Sequence, residues 1–241
     1  MIGTLAAVTL RGLLNRRRTL LLVLAGVLMV GVAALSRLAE STEADALQFT
    51  ARLLADFGLG VLLPLVAVIV GTATIGSELE DGTIIYLLAK PIPRLLIVAV
   101  KAVIAWLLVT VLVSPAVLVS GVIGTGGEAD LGVAYALAAA VGALEYTTVF
   151  LALSLLTSRA LVIGLAYVVI WEGVVAGLFA GTRILSVRQH ALAVADAAGE
   201  GAISAELSAG IGLAMAVGVA ALAFAVAVRR LQTVELRGDT A

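Results

Sequence analysis

The chain has 241 residues, of which 62% are hydrophobic and 13% are charged, whereas soluble domains are about half apolar and a quarter charged. Its formal net charge of −1 excludes the basic signature of a nucleic-acid-binding protein, and the absence of cysteine excludes disulfides and thiolate metal sites. Such a composition requires lipid as solvent, so we expect an integral membrane protein.

Residues 1–18 form the first predicted element, an amphipathic helix along the inner membrane surface. On a helical wheel the apolar residues Ile2, Leu5, Ala6, Leu10 and Leu13 lie opposite the polar residues Thr4, Arg11, Asn15 and Arg18. This two-faced pattern is typical of helices that lie in the membrane interface. Two alternatives stay open: a helix that continues into the first span, or a cleaved signal peptide whose apolar region is 19–36.

Six apolar stretches are long enough to cross a membrane as helices, which takes roughly 20 residues. They are residues 19–36, 57–75, 102–123, 131–157, 160–180 and 207–228. With a cytoplasmic N-terminus, the inner segments carry eleven basic residues, Arg11, Arg16, Arg17, Arg18, Lys90, Arg94, Lys101, Arg159, Arg229, Arg230 and Arg237, and the outer segments carry four, Arg37, Arg52, Arg183 and Arg188. This bias predicts that both termini are cytoplasmic. We therefore expect an all-α protein with six transmembrane helices, a single domain over residues 1–241, in the inner or plasma membrane.

Residues 77–94, between the second and third predicted spans, are the most informative segment. Acids stand at its start (Glu78, Glu80, Asp81), apolar residues in its middle (Ile84, Leu87, Leu88) and prolines at its end (Pro91, Pro93). Asp81 or Thr83 can cap a short helix whose positive end favours the nearby acids. A short, partly apolar helix at the cytoplasmic face is typical of a docking element, although an interfacial helix that binds nothing has the same pattern.

The same segment resembles the cytoplasmic loop of ABC-2-type transporter permeases. An acid before Gly-Thr is followed by Leu-Leu-x-x-Pro-Ile-x-Arg and by a lysine seven residues later. The matching residues are Glu78, Glu80, Gly82, Thr83, Leu87, Leu88, Pro91, Ile92, Arg94 and Lys101. A second stretch, residues 167–173 followed by 182–189, is also similar to members of this group. Together with the N-terminal helix and the six spans, the resemblance covers nearly the whole chain.

The resemblance implies a mechanism. The loop would couple the chain to a separate ABC ATP-binding subunit, present in two copies, through Glu78, Glu80, Asp81, Gly82, Thr83, Tyr86, Leu87, Leu88, Pro91 and Arg94. Two six-span halves, identical or paralogous, would enclose the transport path, and residues 1–18 would be the connecting helix of the family. ATP and Mg²⁺ would belong to the partner, because the chain has no Gly-x-x-x-x-Gly-Lys-[Ser/Thr] phosphate loop.

This interpretation predicts a non-catalytic permease subunit of an exporter, without a metal site. Its substrate would be a hydrophobic or amphipathic molecule, such as a drug, a peptide or a lipid-like compound. Energy would come from ATP hydrolysis in the partner chain.

Glu145 and Glu172 lie inside predicted spans, where a central charge costs about 2.5–3.5 kcal/mol. Either they line a transport path or they form hydrogen bonds that fix helix packing. Intramembrane carboxylates are also what proton or sodium coupling needs, so an ion-coupled secondary transporter that uses these two residues is the alternative function.

Two further features concern the segment before the sixth span. Gly173, Gly177 and Gly181 repeat every four residues, which predicts close helix packing within the chain or across a dimer. Residues 183–198 predict a short interfacial helix on the outer side. It contains His190, the only histidine, which we expect to be a surface residue rather than a ligand.

Overall fold

The computed structural model of the protein describes residues 2–13, 16–39, 42–84, 92–199 and 205–233, and within these ranges it contains helices and no strand. Within the same ranges, six helices are long and apolar enough to cross a membrane, as the sequence predicted. They are, as spans 1 to 6, Thr19–Ala39, Glu43–Leu79, Arg94–Gly124, Asp130–Leu156, Ala160–Leu178 and Ala209–Thr233.

Span 2 differs most from its predicted bounds, because its helix begins at Glu43 rather than at residue 57. The first ten residues, Glu43–Arg52, are too polar for a search by apolar length to find them. Their helix is specified by capping instead. The Thr42 side chain accepts a hydrogen bond from the backbone N–H of Asp45 at 3.2 Å, and the first-turn acids Glu43 and Asp45 suit the positive end of the helix dipole.

Two spans contain wide helical turns, in which a backbone N–H bonds to the carbonyl five residues earlier. These turns cover Leu53–Leu62 in span 2 and Tyr167–Val175 in span 5. Pro64 follows the first of them. Because proline lacks an N–H and its ring crowds the carbonyl four residues before it, a widened turn relieves the clash. Wide turns of this kind frequently occur at functional sites.

Span 4 lies at the centre of the bundle and contacts spans 2, 3, 5 and 6. Small residues allow the close approach: a Cβ added at Gly71 of span 2 would lie only 2.9 Å from the Cβ of Phe150 in span 4. Between spans 3 and 4, Trp106 Nε1 donates to the carbonyl of Ala140 at 2.9 Å. Close packing and interhelical hydrogen bonds of this type hold helices together in lipid.

Spans 1, 5 and 6 lie at the periphery and expose large apolar side chains, such as Leu21, Val162 and Leu222. A surface of this kind suits contact with lipid or with another subunit. The N-terminal helix Ile2–Leu13 contacts spans 2 and 3. Its amphipathic position on the membrane and the cytoplasmic location of both termini stay predictions.

The segment between spans 5 and 6 forms a helix over Val187–Ala198, here called the outer helix. It begins four residues later than predicted, because a tighter helical turn occupies Ala180–Leu185. Ser186 caps it, since its Oγ accepts a hydrogen bond from the backbone N–H of Gln189 at 3.3 Å. The outer helix packs against spans 4 and 6.

Candidate coupling site and buried polar cluster

The predicted coupling segment starts as a continuation of span 2. A separate helix over residues 77–94 was predicted, with Glu78 and Glu80 near its positive end. The structure instead places both acids in the last turn of the helix Leu63–Glu80. The predicted start of a separate helix at residue 77 was therefore wrong, because residues 77–81 contain no glycine or proline to end the helix before Gly82. The predicted residues Tyr86, Leu87, Leu88 and Pro91 lie outside the described residues.

A tight turn at Asp81, Gly82 and Thr83 follows the end of this helix. The backbone N–H groups of Asp81 and Gly82 bond to the carbonyls of Ser77 and Leu79 at 2.9 and 3.3 Å. Gly82 has a φ of 67°, the left-handed conformation that glycine adopts readily after a helix. All three turn residues are exposed, so this part of the motif is accessible to a partner.

A salt bridge beside the turn joins span 2 to span 3. Lys101 Nζ lies 2.6 Å from Oε1 of Glu78 and 2.8 Å from the carbonyl oxygen of Thr74. The Lys101 side chain is 1% exposed and that of Glu78 is 24% exposed. Because a buried ammonium group needs partners of this kind, the pair fixes span 3 against the end of span 2.

Arg94, the first residue of span 3, joins the same end of the bundle to span 6. Its Nη1 donates to the carbonyls of Leu231 and Gln232 at 2.6 and 2.5 Å. Carbonyls in the last turn of a helix lack partners within it, and a cation suits the negative end of the helix dipole. The side chains of Arg94, Glu78 and Lys101 therefore contact other spans of the same chain.

An open cleft of about 730 Å³ lies at this end, between span 1, span 2 and the connection from span 4 to span 5. Its walls are apolar at Leu21, Ile69 and Leu161, and carry hydroxyl groups at residues such as Thr72. Among the described residues that line it, Arg159 is the charged one. The described part of the cleft therefore combines an apolar wall with a cation.

Glu172 is the centre of a buried polar cluster at the opposite end of the bundle. Its side chain accepts hydrogen bonds from Ser186 Oγ at 2.5 Å, from the backbone N–H of Val187 at 2.9 Å and from Tyr167 Oη at 3.0 Å. Ser186 and Val187 begin the outer helix, so the carboxylate lies at the positive end of that helix dipole. Of the two interpretations of Glu172, this geometry supports helix packing.

Glu145 bonds to the histidine of the outer helix. His190 Nδ1 lies 3.0 and 3.1 Å from the two carboxylate oxygens of Glu145, and His190 Nε2 lies 2.9 Å from the carbonyl oxygen of Ile184. Both side chains are buried, and His190 is 0% exposed. The prediction of a surface histidine was therefore wrong: the outer helix turns its His190 face towards span 4 instead of towards solvent.

Two more contacts of this cluster were not predicted from the sequence. Asp56, in the wide turn of span 2, forms a salt bridge with Arg188 of the outer helix. Tyr146 lies near Glu145 and Glu172, and its buried hydroxyl group makes no hydrogen bond of normal distance and angle within the described part of the chain. One signal was present in the sequence: two intramembrane acids need partners, and the segment after span 5 carries hydrogen-bond donors at Ser186, Arg188 and His190.

The predicted glycine face has no neighbour in the described part of the chain. A Cβ added at Gly177 or Gly181 would meet no atom within 4 Å, and at Gly173 it would meet only a carbonyl of its own span. Span 5 ends at Leu178, so Gly181 belongs to the following turn and not to the same helix. Packing on this face by another chain stays a prediction.

A family model described as "ABC-2 family transporter protein" matches residues 14–189. The matched region contains spans 1 to 5, the turn after span 2 and both intramembrane glutamates, and it ends within the outer helix. No curated protein matches the sequence. Because the match covers well over half of the chain, the protein belongs to the ABC-2 transporter family and is a multi-pass membrane component of an ABC transporter.

Proposed function

We propose that the chain is the permease subunit of an ATP-driven exporter, and that a separate ABC ATP-binding subunit docks on the turn Asp81–Thr83. Membership of the family implies association with such a subunit. The observation that carries the location is the exposed turn with the motif residues at the end of span 2. ATP and Mg²⁺ would be bound by the partner, in two copies for two permease halves.

The contacts around the turn support a rigid coupling. Span 2 reaches the turn as a continuous helix, and the Glu78–Lys101 salt bridge joins its last turn to span 3. Arg94 connects the start of span 3 to the end of span 6. A movement imposed on the turn by nucleotide binding would therefore move the inner ends of three spans together, as in rigid-body switching.

The cleft beside the turn supports an amphipathic substrate. Its apolar wall suits an acyl or aromatic group, and Arg159 suits a polar or anionic head. The cleft and the turn are at the same end of the bundle, and the bias in basic residues predicts that this end is cytoplasmic. A cleft that opens on that side would take substrate from the cytoplasm, so the direction of transport would be export.

A second permease half completes the proposal. Span 5 exposes its apolar side chains and the glycines Gly173 and Gly177, so this face is available to a second copy or a paralogue. Glycines allow helices from two chains to approach closely in lipid.

The test is reconstitution of the chain with an ABC ATP-binding subunit, starting with one encoded beside it. We expect the two to co-purify and the permease to change the rate of ATP hydrolysis. The double variant Asp81→Arg/Thr83→Arg should weaken binding at least about tenfold, a loss of ~1.4 kcal/mol. Glu128→Arg, at an exposed acid on the opposite end of the bundle, is the matched control and should leave binding unchanged.

The same experiment separates the ion-coupled alternative. A secondary transporter would work in vesicles without any ATPase and would lose transport when Glu145 or Glu172 is neutralised. Two results would contradict the proposal. Either the chain binds no ATP-binding subunit with or without nucleotide, or the double variant Asp81→Arg/Thr83→Arg binds as tightly as the unmutated chain.

A further inference from the structure

We propose that Glu145 and His190 form a buried proton-binding site that holds the outer helix against span 4, so that loss of the proton releases this helix. No comparison assigns a role to either residue. The inference rests on the contacts of the outer helix alone and is independent of the proposed docking of an ATPase at the other end.

The hydrogen bonds of His190 determine how many protons the pair holds. Its Nε2 lies 2.9 Å from the carbonyl oxygen of Ile184, and since a carbonyl only accepts, Nε2 carries a proton. Its Nδ1 lies 3.0 Å from an oxygen of Glu145, which requires one further proton between the two groups. Whether that proton resides on nitrogen or on oxygen, the pair binds it.

Loss of this shared proton changes an attraction into a repulsion. A carboxylate would then face the lone pair of a neutral imidazole, so two buried acceptors would have no donor between them. Both side chains are at most 1% exposed, so water cannot replace the missing donor unless the contact opens.

The surroundings of His190 favour retention of the proton. Span 5 contributes Glu172 and Tyr167, span 4 contributes Tyr146, and span 2 contributes Asp56, which is already paired with Arg188 of the outer helix. Span 6 contacts the backbone of His190 through Gly212, and its own ionisable residues, Arg229 and Arg230, lie near its far end. Among the described acids other than Glu145, Glu172 is the one that acts on His190, and it too favours the proton.

The direction of the pH effect follows from these contacts. Burial lowers the pKa of His190, but the hydrogen bond and the charge of Glu145, with the Ile184 carbonyl, outweigh burial and raise the pKa above its usual value. Because the pKa of His190 is raised in the folded state, the shared proton stabilises the contact at low and neutral pH. This stabilisation is lost as the pH rises through the raised pKa.

The outer helix depends on such polar contacts because its apolar contacts are small. Its buried residues other than His190 are Val187, Ala191, Ala193 and Ala195. Alanine buries little surface, so dispersion and apolar burial contribute less here than between two spans. Leu192 and Val194 are only partly buried against the core, and Glu172 at the start of the helix and Glu145 one turn later are its buried polar attachments.

Cysteine labelling tests the inference directly, because the chain contains no native cysteine. Ala195→Cys places a thiol on the buried face of the outer helix, and Ala197→Cys places one on its exposed face. A membrane-impermeant maleimide is added to the full chain in vesicles from about pH 6 to about pH 9.5, a range that brackets a histidine with a raised pKa. The labelling rate of the Ala195→Cys variant is divided by that of the Ala197→Cys variant, because ionisation of the thiol at high pH raises both rates.

We expect this ratio to rise about tenfold or more across the range, which corresponds to ~1.4 kcal/mol. In a Glu145→Gln background the amide donates to Nδ1 of neutral His190 without any titrating proton, so the ratio should stay low and flat. In a His190→Ala background it should be high at every pH.

A flat ratio in the background with Glu145 and His190 intact would overturn the inference, as would an unchanged pH dependence in the Glu145→Gln background. Hydrogen exchange on the unmutated protein provides a measurement that needs no variant. After correction for intrinsic exchange rates, amides of Val187–Ala198 should lose protection at alkaline pH while those of Arg94–Gly124 do not. Equal behaviour of the two segments would also overturn it.

Discussion

The two ends of the bundle use charged residues in different ways. At the end with the motif, the Glu78–Lys101 pair fixes two spans together and leaves an exposed turn beside it. At the other end, Glu145 of span 4 and His190 of the outer helix are both buried, and their contact attaches that helix to span 4. Neither residue is available at the surface. Under the proposed function the first set of charges would support a contact with a partner, whereas the second set holds an element of the chain in place.

The largest expected effect is at the Glu78–Lys101 salt bridge. Glu78→Leu leaves a buried ammonium group with the Thr74 carbonyl as its remaining partner, which should destabilise the protein by about 3–5 kcal/mol. The measurement is unfolding in detergent, followed by the fluorescence of the two tryptophans.

The reverse variant and the double variant are the controls for this pair. Lys101→Met should cost less, because the Glu78 side chain is 24% exposed and can turn its carboxylate, one oxygen of which is buried, towards water. Glu78→Leu/Lys101→Met removes both charges and should recover most of the stability. Equal losses in the two single variants, or no recovery in the double variant, would contradict the proposed bracing of the turn.

The next largest effect is expected at Glu172. Glu172→Ala leaves the hydroxyl groups of Ser186 and Tyr167 and the N–H of Val187 without their acceptor, at about 1–3 kcal/mol for a buried unpaired donor. Glu172→Gln keeps one acceptor oxygen in the same shape and should cost less. Hydrogen exchange should show faster exchange in Val187–Ala198 and little change in span 4; faster exchange throughout the bundle would show that Glu172 supports more than the outer helix.

Apolar length was enough to predict the helical class and the six spans, since these depend on composition over roughly 20 residues. The start of span 2 at Glu43 was not predictable from this signal, because a cap at Thr42 and first-turn acids specify it. The position of Glu78 and Glu80 was mispredicted for a similar reason. The end of their helix depends on the local conformation of Gly82 and not on a change in hydropathy.

The candidate sites also differ in how much of each could be predicted from the sequence. The turn after span 2 was found because its residues are adjacent in the chain and carry a family pattern. Glu145 and Glu172 were recognised as unusual, but their partners were not, because Glu145 and His190 are 45 residues apart in sequence. The polar groups that meet in the folded bundle depend on how spans 2, 4, 5 and 6 pack around the outer helix, and no single segment of the sequence encodes this packing.

The smallest expected effect is at Asp56 and Arg188, and it sharpens the comparison between buried and exposed charges. This pair also joins a span to the outer helix, but the Asp56 side chain is 71% exposed. Solvent screening should limit its contribution to about 0–1 kcal/mol. A double-mutant cycle with Asp56→Asn and Arg188→Gln, read from the unfolding midpoint, measures the coupling. A coupling well above ~1 kcal/mol would mean that burial does not decide which contacts hold the outer helix, and the role assigned to Glu145 and His190 would then be shared with this exposed pair.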